Sequence, residues 1–131
     1  MAAARPNILA VDDDPLVLDL LRLYLWDFDV SCVAGGSAAL SVLSSARPAL
    51  ILLDVRMPGM DGLQTLKRIR QRPYLASSPV LMLTAAADRP TIAKAIEAGA
   101  SGYMLKPFTR DTLMRRVNRF LQRSSDDLVF I

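Results

Sequence analysis

The residues able to do chemistry in this chain stand at the ends of short apolar runs. Asn7-Ile8-Leu9-Ala10-Val11 ends on Asp12-Asp13-Asp14, and Leu50-Ile51-Leu52-Leu53 ends on Asp54. Val80-Leu81-Met82-Leu83 ends on Thr84, and Gly102-Tyr103-Met104-Leu105 ends on Lys106. Apolar runs of this length, bounded by turn residues, read as strands buried on both faces of a parallel sheet. In open α/β sheets the carboxyl ends of the strands form the ligand-binding rim. Asp12, Asp13, Asp54, Thr84 and Lys106 are therefore expected on one rim. Carboxylates gathered this closely are stable at neutral pH only with a cation among them or with raised pKa values. Hard oxygen donors beside a site for phosphate chemistry point to Mg²⁺. A lysine point charge and a hydroxyl donor suit an incoming phosphoryl group, and an aspartate nucleophile would form an acyl phosphate with it.

Each residue taken singly has a plainer role. Asp13 or Asp14 could cap a helix, Asp54 could be a turn residue, Thr84 could merely end a strand, and Lys106 could reach past the core to solvent. Asp61-Gly62, after the Pro58-Gly59 turn, already supplies the cap for the helix that follows Asp54. The opposite rim carries nothing comparable, and that favours the constellation.

The elements that must position these residues alternate as βα five times over. After the first strand, Asp14-Pro15 opens a helix expected to run to about Phe28. Its buried face is Val17, Leu20, Leu21, Tyr24 and Leu25, with Leu16, Leu18, Leu23 and Trp26 outside it. Val30 to Ala34 is a second strand, and Ser37 to Ala46 a second helix with Ala38, Leu40, Val42 and Leu43 apolar. Asp61 to Arg72 is a third helix with Leu63, Leu66 and Ile69 inward. Pro90 to Ala98 is a fourth, stopped by Gly99. The fifth strand is Gly102 to Lys106, and the last helix is Thr109 to Arg123. Such alternation implies a parallel sheet with helices on both faces and right-handed crossovers. One domain spans residues 7–123, with 1–6 as an N-terminal extension and 124–131 as a tail or the start of a linker.

A chain of 131 residues with 52% hydrophobic and 22% charged residues is long and apolar enough for one sizeable core. The net charge of +3 comes from 16 basic and 13 acidic residues. Its basic excess at Lys67, Arg68, Arg70 and Arg72, and at Arg110, Arg115, Arg116, Arg119 and Arg123, reads as solvated helix faces rather than a nucleic-acid surface. Histidine is absent, which removes the commonest metal ligand and general base. The single cysteine, Cys32, excludes an internal disulfide and suits a reducing compartment. No apolar run reaches membrane-spanning length, and residues 1–7 lack a signal-peptide core; the expected location is the cytoplasm.

Four segments carry a family resemblance. Val11-Asp12-Asp13-Asp14-Pro15, Leu53-Asp54-Val55-Arg56-Met57-Pro58-Gly59-Met60-Asp61-Gly62, Leu83-Thr84-Ala85 and Ala98 to Phe108 resemble the receiver domain of bacterial two-component response regulators, the CheY-like family. They occur in the family's order and spacing over residues 7–123. The resemblance implies a flavodoxin-like, doubly wound (βα)5 fold with strand order 2-1-3-4-5. It implies Asp54 as phosphoacceptor, taking a phosphoryl group from a sensor histidine kinase or a histidine phosphotransfer protein. Asp13, Asp54 and the backbone carbonyl of Arg56 would hold Mg²⁺, with Mn²⁺ as a substitute, and Asp12 would act largely through a bound water. Lys106 would pair with the phosphoryl group, and the Lys106–Pro107 peptide is expected to be cis. Thr84 and Tyr103 would form the switch that remodels the surface of the fourth helix, fifth strand and fifth helix. Arg56 and Ala86 occupy the positions that tune the lifetime of the phosphorylated state. Ala86 offers no polar group to a hydrolytic water and Arg56 could shield the site, so the expected lifetime is moderate to long.

On this reading the chain is a switch or a phosphorelay intermediate, not an enzyme beyond its own phosphotransfer and dephosphorylation. The downstream effector or output domain is left open. A phosphorylation-dependent homodimer is among the partners the resemblance implies, but winged-helix regulators usually carry acidic residues just before the fifth strand for their symmetric dimer, where this chain has Ser101-Gly102. A haloacid-dehalogenase-type phosphohydrolase would need a second aspartate two residues after the first, and Arg56 stands there. A nucleotide-binding domain lacks its glycine-rich loop here. The intact set of aspartates, Thr84 and Lys106 argues against a pseudo-receiver.

Overall fold

The computed structural model describes residues 5–85 and 89–129, with side chains in the last helix described as far as Leu121. Among these residues five strands and five helices alternate. The strands are β1 (Asn7–Val11), β2 (Asp29–Val33), β3 (Leu50–Asp54), β4 (Val80–Thr84) and β5 (Gly102–Leu105). The helices are α1 (Pro15–Tyr24), α2 (Gly36–Val42), α3 (Gly62–Gln71), α4 (Arg89–Glu97) and α5 (Arg110–Val129), with a short 3₁₀ turn at Pro73–Leu75. All the pairings are parallel, and the order is β2-β1-β3-β4-β5.

Every residue of β3 and β4 is buried, as their unbroken apolar runs require. Alternate side chains feed two cores. Leu9, Ile51, Leu53 and Met82 meet Leu66 and Ile69 of α3 on one face. Ile8, Ala10, Leu52 and Leu81 meet Leu21 of α1 and Leu113 and Val117 of α5 on the other.

Several expected boundaries shift. Helix α1 stops at Tyr24, short of Phe28, because the chain must turn to bring Asp29 beside Asn7: the Phe28 N–H donates to Leu25 and the Asp29 N–H to Pro6. Leu18, expected outside the buried face, is buried, because the helix is rotated toward Leu113 and Val117 of α5. Strand β2 begins at Asp29 and ends at Val33, its pairing with β1 closing before Ala34. Helix α2 spans Gly36–Val42 instead of running to Ala46, and Ala39, not Ala38, faces the core. Its early end has a local cause: the Ser44 hydroxyl bonds the Ser41 carbonyl at 2.6 Å, competing with further helix. Helix α3 starts at Gly62 on a reciprocal capping box, in which the Gln64 N–H donates to the Asp61 carboxylate at 2.8 Å and the Asp61 N–H to the Gln64 side-chain oxygen at 2.9 Å. Leu63 is only half-buried.

Helix α4 starts at Arg89 and ends before Gly99, whose φ of 101° stops it. Strand β5 ends at Leu105, although the Lys106 N–H still reaches the Thr84 carbonyl at 2.7 Å. Thr109 caps α5, accepting from the Thr112 N–H at 3.1 Å, and the helix runs past its expected end at Arg123, into the segment expected as a tail or linker, to Val129. Two of the supposedly solvated arginines are clamps. Arg70 donates to the carbonyls of Gly99 and Leu75, and Arg72 to that of Leu40, each at 2.9 Å. These carbonyls lie at element ends, where the backbone leaves acceptors without partners. Cys32 is half-buried on the edge strand, and burial foremost pushes its thiol up.

Candidate functional site

The parallel sheet delivers its polar strand ends to one rim. Asp12 follows the last residue of β1 and is fully buried. Its carboxylate is spoken for on both sides, accepting the Asp14 N–H at 2.9 Å and the Lys106 ammonium at 2.5 Å. The Asp14 carboxylate turns back to cap α1, accepting from the Leu16 N–H. Asp13, between them, is exposed. Asp54 ends β3 and is 5% exposed; its Oδ1 accepts from Lys106 at 3.1 Å and lies 3.5 Å from the Arg56 N–H.

Lys106 therefore bridges two buried carboxylates from β1 and β3, reaching them from the far end of β5. Thr84 closes β4 and is buried one residue beyond Leu83, the neighbour of Asp54 in register. The Lys106–Pro107 peptide is cis. Arg56 has an exposed side chain, and Tyr103 is 36% exposed on the edge strand β5. Ala86 lies outside the described residues.

Charge is unbalanced here. Burial pushes the Asp54 carboxyl up from 3.8 to about 6; Lys106 works against the rise and the Asp12 charge adds to it. Burial by itself would lower the Lys106 ammonium, but the Asp12 hydrogen bond and the charges of both aspartates outweigh it and hold the group above its ordinary value. One lysine thus faces three carboxylates. Asp12, Asp13 and Asp54 each offer an oxygen, all within 4.8 Å of one another. That all-oxygen, net anionic set fits a hard divalent cation and would suit a soft metal poorly. The sequence did not single out the Asp14 N–H that fixes Asp12, although the turn signal of Asp12-Asp13-Asp14-Pro15 contains it.

The sequence profile of the response regulator receiver domain matches residues 8–118. The DNA-binding response regulator MtrA of Mycolicibacterium smegmatis is 36% identical over 129 residues, covering 97% of this chain and 55% of that protein. The chain thus spans about half the length of that relative. Among solved structures, the chemotaxis protein CheY4 of Vibrio cholerae superposes with a TM-score of 0.86 at 32% identity, over 90% of this chain and 100% of that one. The receiver domain of the sensor histidine kinase PA1611 of Pseudomonas aeruginosa, solved with a magnesium ion coordinated in its active-site cleft, gives 0.84 at 31% identity over 90% and 98%. Among the described residues no helix is long and apolar enough to cross a membrane. Sequence profile and strand order agree, and the chain belongs to the response regulator receiver domain family, a module of two-component signalling.

Proposed function

We propose that Asp54 is the phosphoacceptor of this receiver domain. The observation that carries the reading is the Lys106 ammonium held between two buried carboxylates, 3.1 Å from Asp54 Oδ1. A phosphoryl oxygen arriving at Asp54 finds a cation already in place, with no reorganisation needed. In the transfer, an Asp54 carboxylate oxygen forms a bond to phosphorus as the phosphorus–nitrogen bond of a phosphohistidine breaks. The phosphohistidine reacts with its other ring nitrogen protonated, so the imidazole leaves neutral and keeps that proton. The donor is a sensor histidine kinase or a histidine phosphotransfer protein, in keeping with membership of the receiver family.

Asp13, Asp54 and the Arg56 carbonyl would hold Mg²⁺ or Mn²⁺, and Asp12 would act through a water. Such an ion, when bound, neutralises charge on the phosphoryl oxygens. The Thr84 hydroxyl turns to a phosphoryl oxygen and Tyr103 follows inward, changing the face formed by α4, β5 and α5. Phosphorylation then biases an equilibrium between two surfaces, one of which an output domain or partner protein reads. The DNA-binding role in the name of the MtrA relative makes a DNA-binding output one natural reader. Loss of the phosphoryl group is the module's own hydrolysis, set by Arg56 and Ala86. A haloacid-dehalogenase-type reaction is disfavoured because the exposed Arg56 stands where that chemistry needs a second aspartate.

The test is intact-mass measurement after incubation with Mg²⁺ and acetyl phosphate. One phosphoryl adduct is expected, dependent on Mg²⁺ and absent in Asp54→Asn. Persistence of the adduct in Asp54→Asn would overturn the assignment. Decay of the wild-type adduct is expected over minutes or longer, and a half-time of seconds would overturn the lifetime role given to Arg56 and Ala86.

A further inference from the structure

Gly62 opens α3 and is buried directly behind Asp54. A Cβ at Gly62 would lie 2.1 Å from the Asp54 carbonyl oxygen, 2.7 Å from the Val55 Cα and 2.9 Å from the Asp54 carbonyl carbon. All three are backbone atoms, which cannot swing aside as the tip of a side chain could. The same contact carries a hydrogen bond, the Gly62 N–H donating to the Val55 carbonyl at 2.9 Å. The Val55 N–H in turn donates to the Leu83 carbonyl of β4, also at 2.9 Å. The residue after Asp54 is thus fixed on both sides, to the sheet through its N–H and to α3 through its carbonyl. Between Val55 and Gly62 the loop is anchored by Met57, which is buried in the core. The Asp61–Gln64 capping box makes the first turn of α3 a firm support.

We propose that Gly62 is a positioning residue for the Asp54 site. Its missing side chain lets the first turn of α3 lie on the Asp54–Val55 backbone. That contact sets the direction in which the Asp54 carboxylate and the Arg56 carbonyl leave the strand. The inference rests on the reading of Asp54, Asp13 and the Arg56 carbonyl as the metal and phosphoryl site. A methyl group at Gly62 must push the first turn away from β3 and release the Val55 carbonyl, so ligands meant to converge on one cation diverge.

Gly36 provides the control. A Cβ there would come within 2.2 Å of the Thr65 hydroxyl and 3.1 Å of the Met60 sulfur, which are side-chain atoms of the α2–α3 packing and not the Asp54 backbone. Gly62→Ala and Gly36→Ala are compared by calorimetric Mg²⁺ titration, by the rate of acetyl phosphate labelling at saturating Mg²⁺, and by urea unfolding in EDTA. Gly62→Ala is expected to weaken Mg²⁺ binding by about tenfold, the size of a lost ligand-orienting contact, and to slow labelling even at saturating metal. Gly36→Ala is expected to lose stability while keeping the wild-type Mg²⁺ constant. A folded Gly62→Ala with wild-type Mg²⁺ binding and labelling, or equal weakening in both variants, overturns the proposal. Should Gly62→Ala fail to fold, the ¹⁵N spectrum of the wild type decides. The Gly62 amide is expected to shift on Mg²⁺ titration with the same constant as the Arg56 amide, and a Gly62 resonance that stays in place overturns the proposal. A wild type that binds Mg²⁺ but accepts no phosphoryl group would count instead against Asp54 as phosphoacceptor.

Discussion

Asp54 is maintained at a cost in stability, and the sign of that cost is measurable. In the metal-free folded protein its carboxyl, pushed up chiefly by burial, titrates at about 6, against 3.8 for an unperturbed group. Between those values the folded state binds a proton that the unfolded chain does not, so stability falls as pH rises through the interval and the full cost is present above it. A rise from 3.8 to about 6 corresponds to a ceiling of about 3 kcal/mol. Asparagine keeps the shape without the charge but pairs less well with Lys106. Asp54→Asn is therefore expected to stabilise the metal-free protein by about 1–2 kcal/mol near neutral pH, with the gain vanishing as pH falls to 3.8. Urea unfolding in EDTA across that range checks it; a gain independent of pH would show that charge is not the cause. Lys106→Ala should do the reverse, since it leaves the Asp12 and Asp54 carboxylates buried without their cation. Removing one partner of a buried pair is expected to cost about 3 kcal/mol, read from the same unfolding curves.

Helix caps and end clamps decided which element boundaries the sequence could show. β4 was legible to the residue because the proline before it and the polar residue ending it bracket an unbroken apolar run. Helix α3 was legible because Asp61-Gly62 and Arg72-Pro73 mark both of its ends. The early ends of α1 and α2 were not, since they depend on where the next strand must dock and on a hydroxyl–carbonyl bond that spacing does not reveal. The clamping role of Arg70 was hidden for the same reason: its acceptors, Gly99 and Leu75, come from other elements. At the site, residue types and strand-end positions showed which side chains converge, while the backbone supports of Asp12 and Val55 emerged only with the fold. Two expectations follow at this scale. Asp61→Ala removes the α3 cap and should cost about 1 kcal/mol. Arg70→Ala strips a half-buried donor from two carbonyls and should cost about 1–3 kcal/mol. Both are read as shifts in urea midpoint, and a neutral Arg70→Ala would mean that water replaces the guanidinium fully.

The charge distribution over the whole molecule bears on whether the chain pairs with itself. A two-fold interface is self-complementary, so a surface that presents cations must also present the anions that meet them. On α5, Arg115, Arg116 and Arg119 line a cleft of about 310 Å³ with Thr112. Among the α5 residues whose side chains are described, as far as Leu121, the carboxylate is Asp111, with Asp126 and Asp127 further along the helix, and just before β5 stand the uncharged Ser101 and Gly102. Glu97 of α4 lines a different cleft, beside Lys67 and Lys94. A second copy docking through the Arg115, Arg116 and Arg119 surface of α5 would bring like charges together, a repulsion that salt screens over about 8 Å at physiological ionic strength. On α4 and β5, Ile96, Tyr103 and Leu105 are exposed. The chain is expected to run as a monomer in light scattering at physiological ionic strength, both unmodified and after acetyl phosphate labelling. Dimerisation on labelling would show that the arginines find partners beyond those in the described surface. Dimerisation that appears only at high salt would identify arginine repulsion as the barrier, because screening removes it while leaving the apolar contact intact.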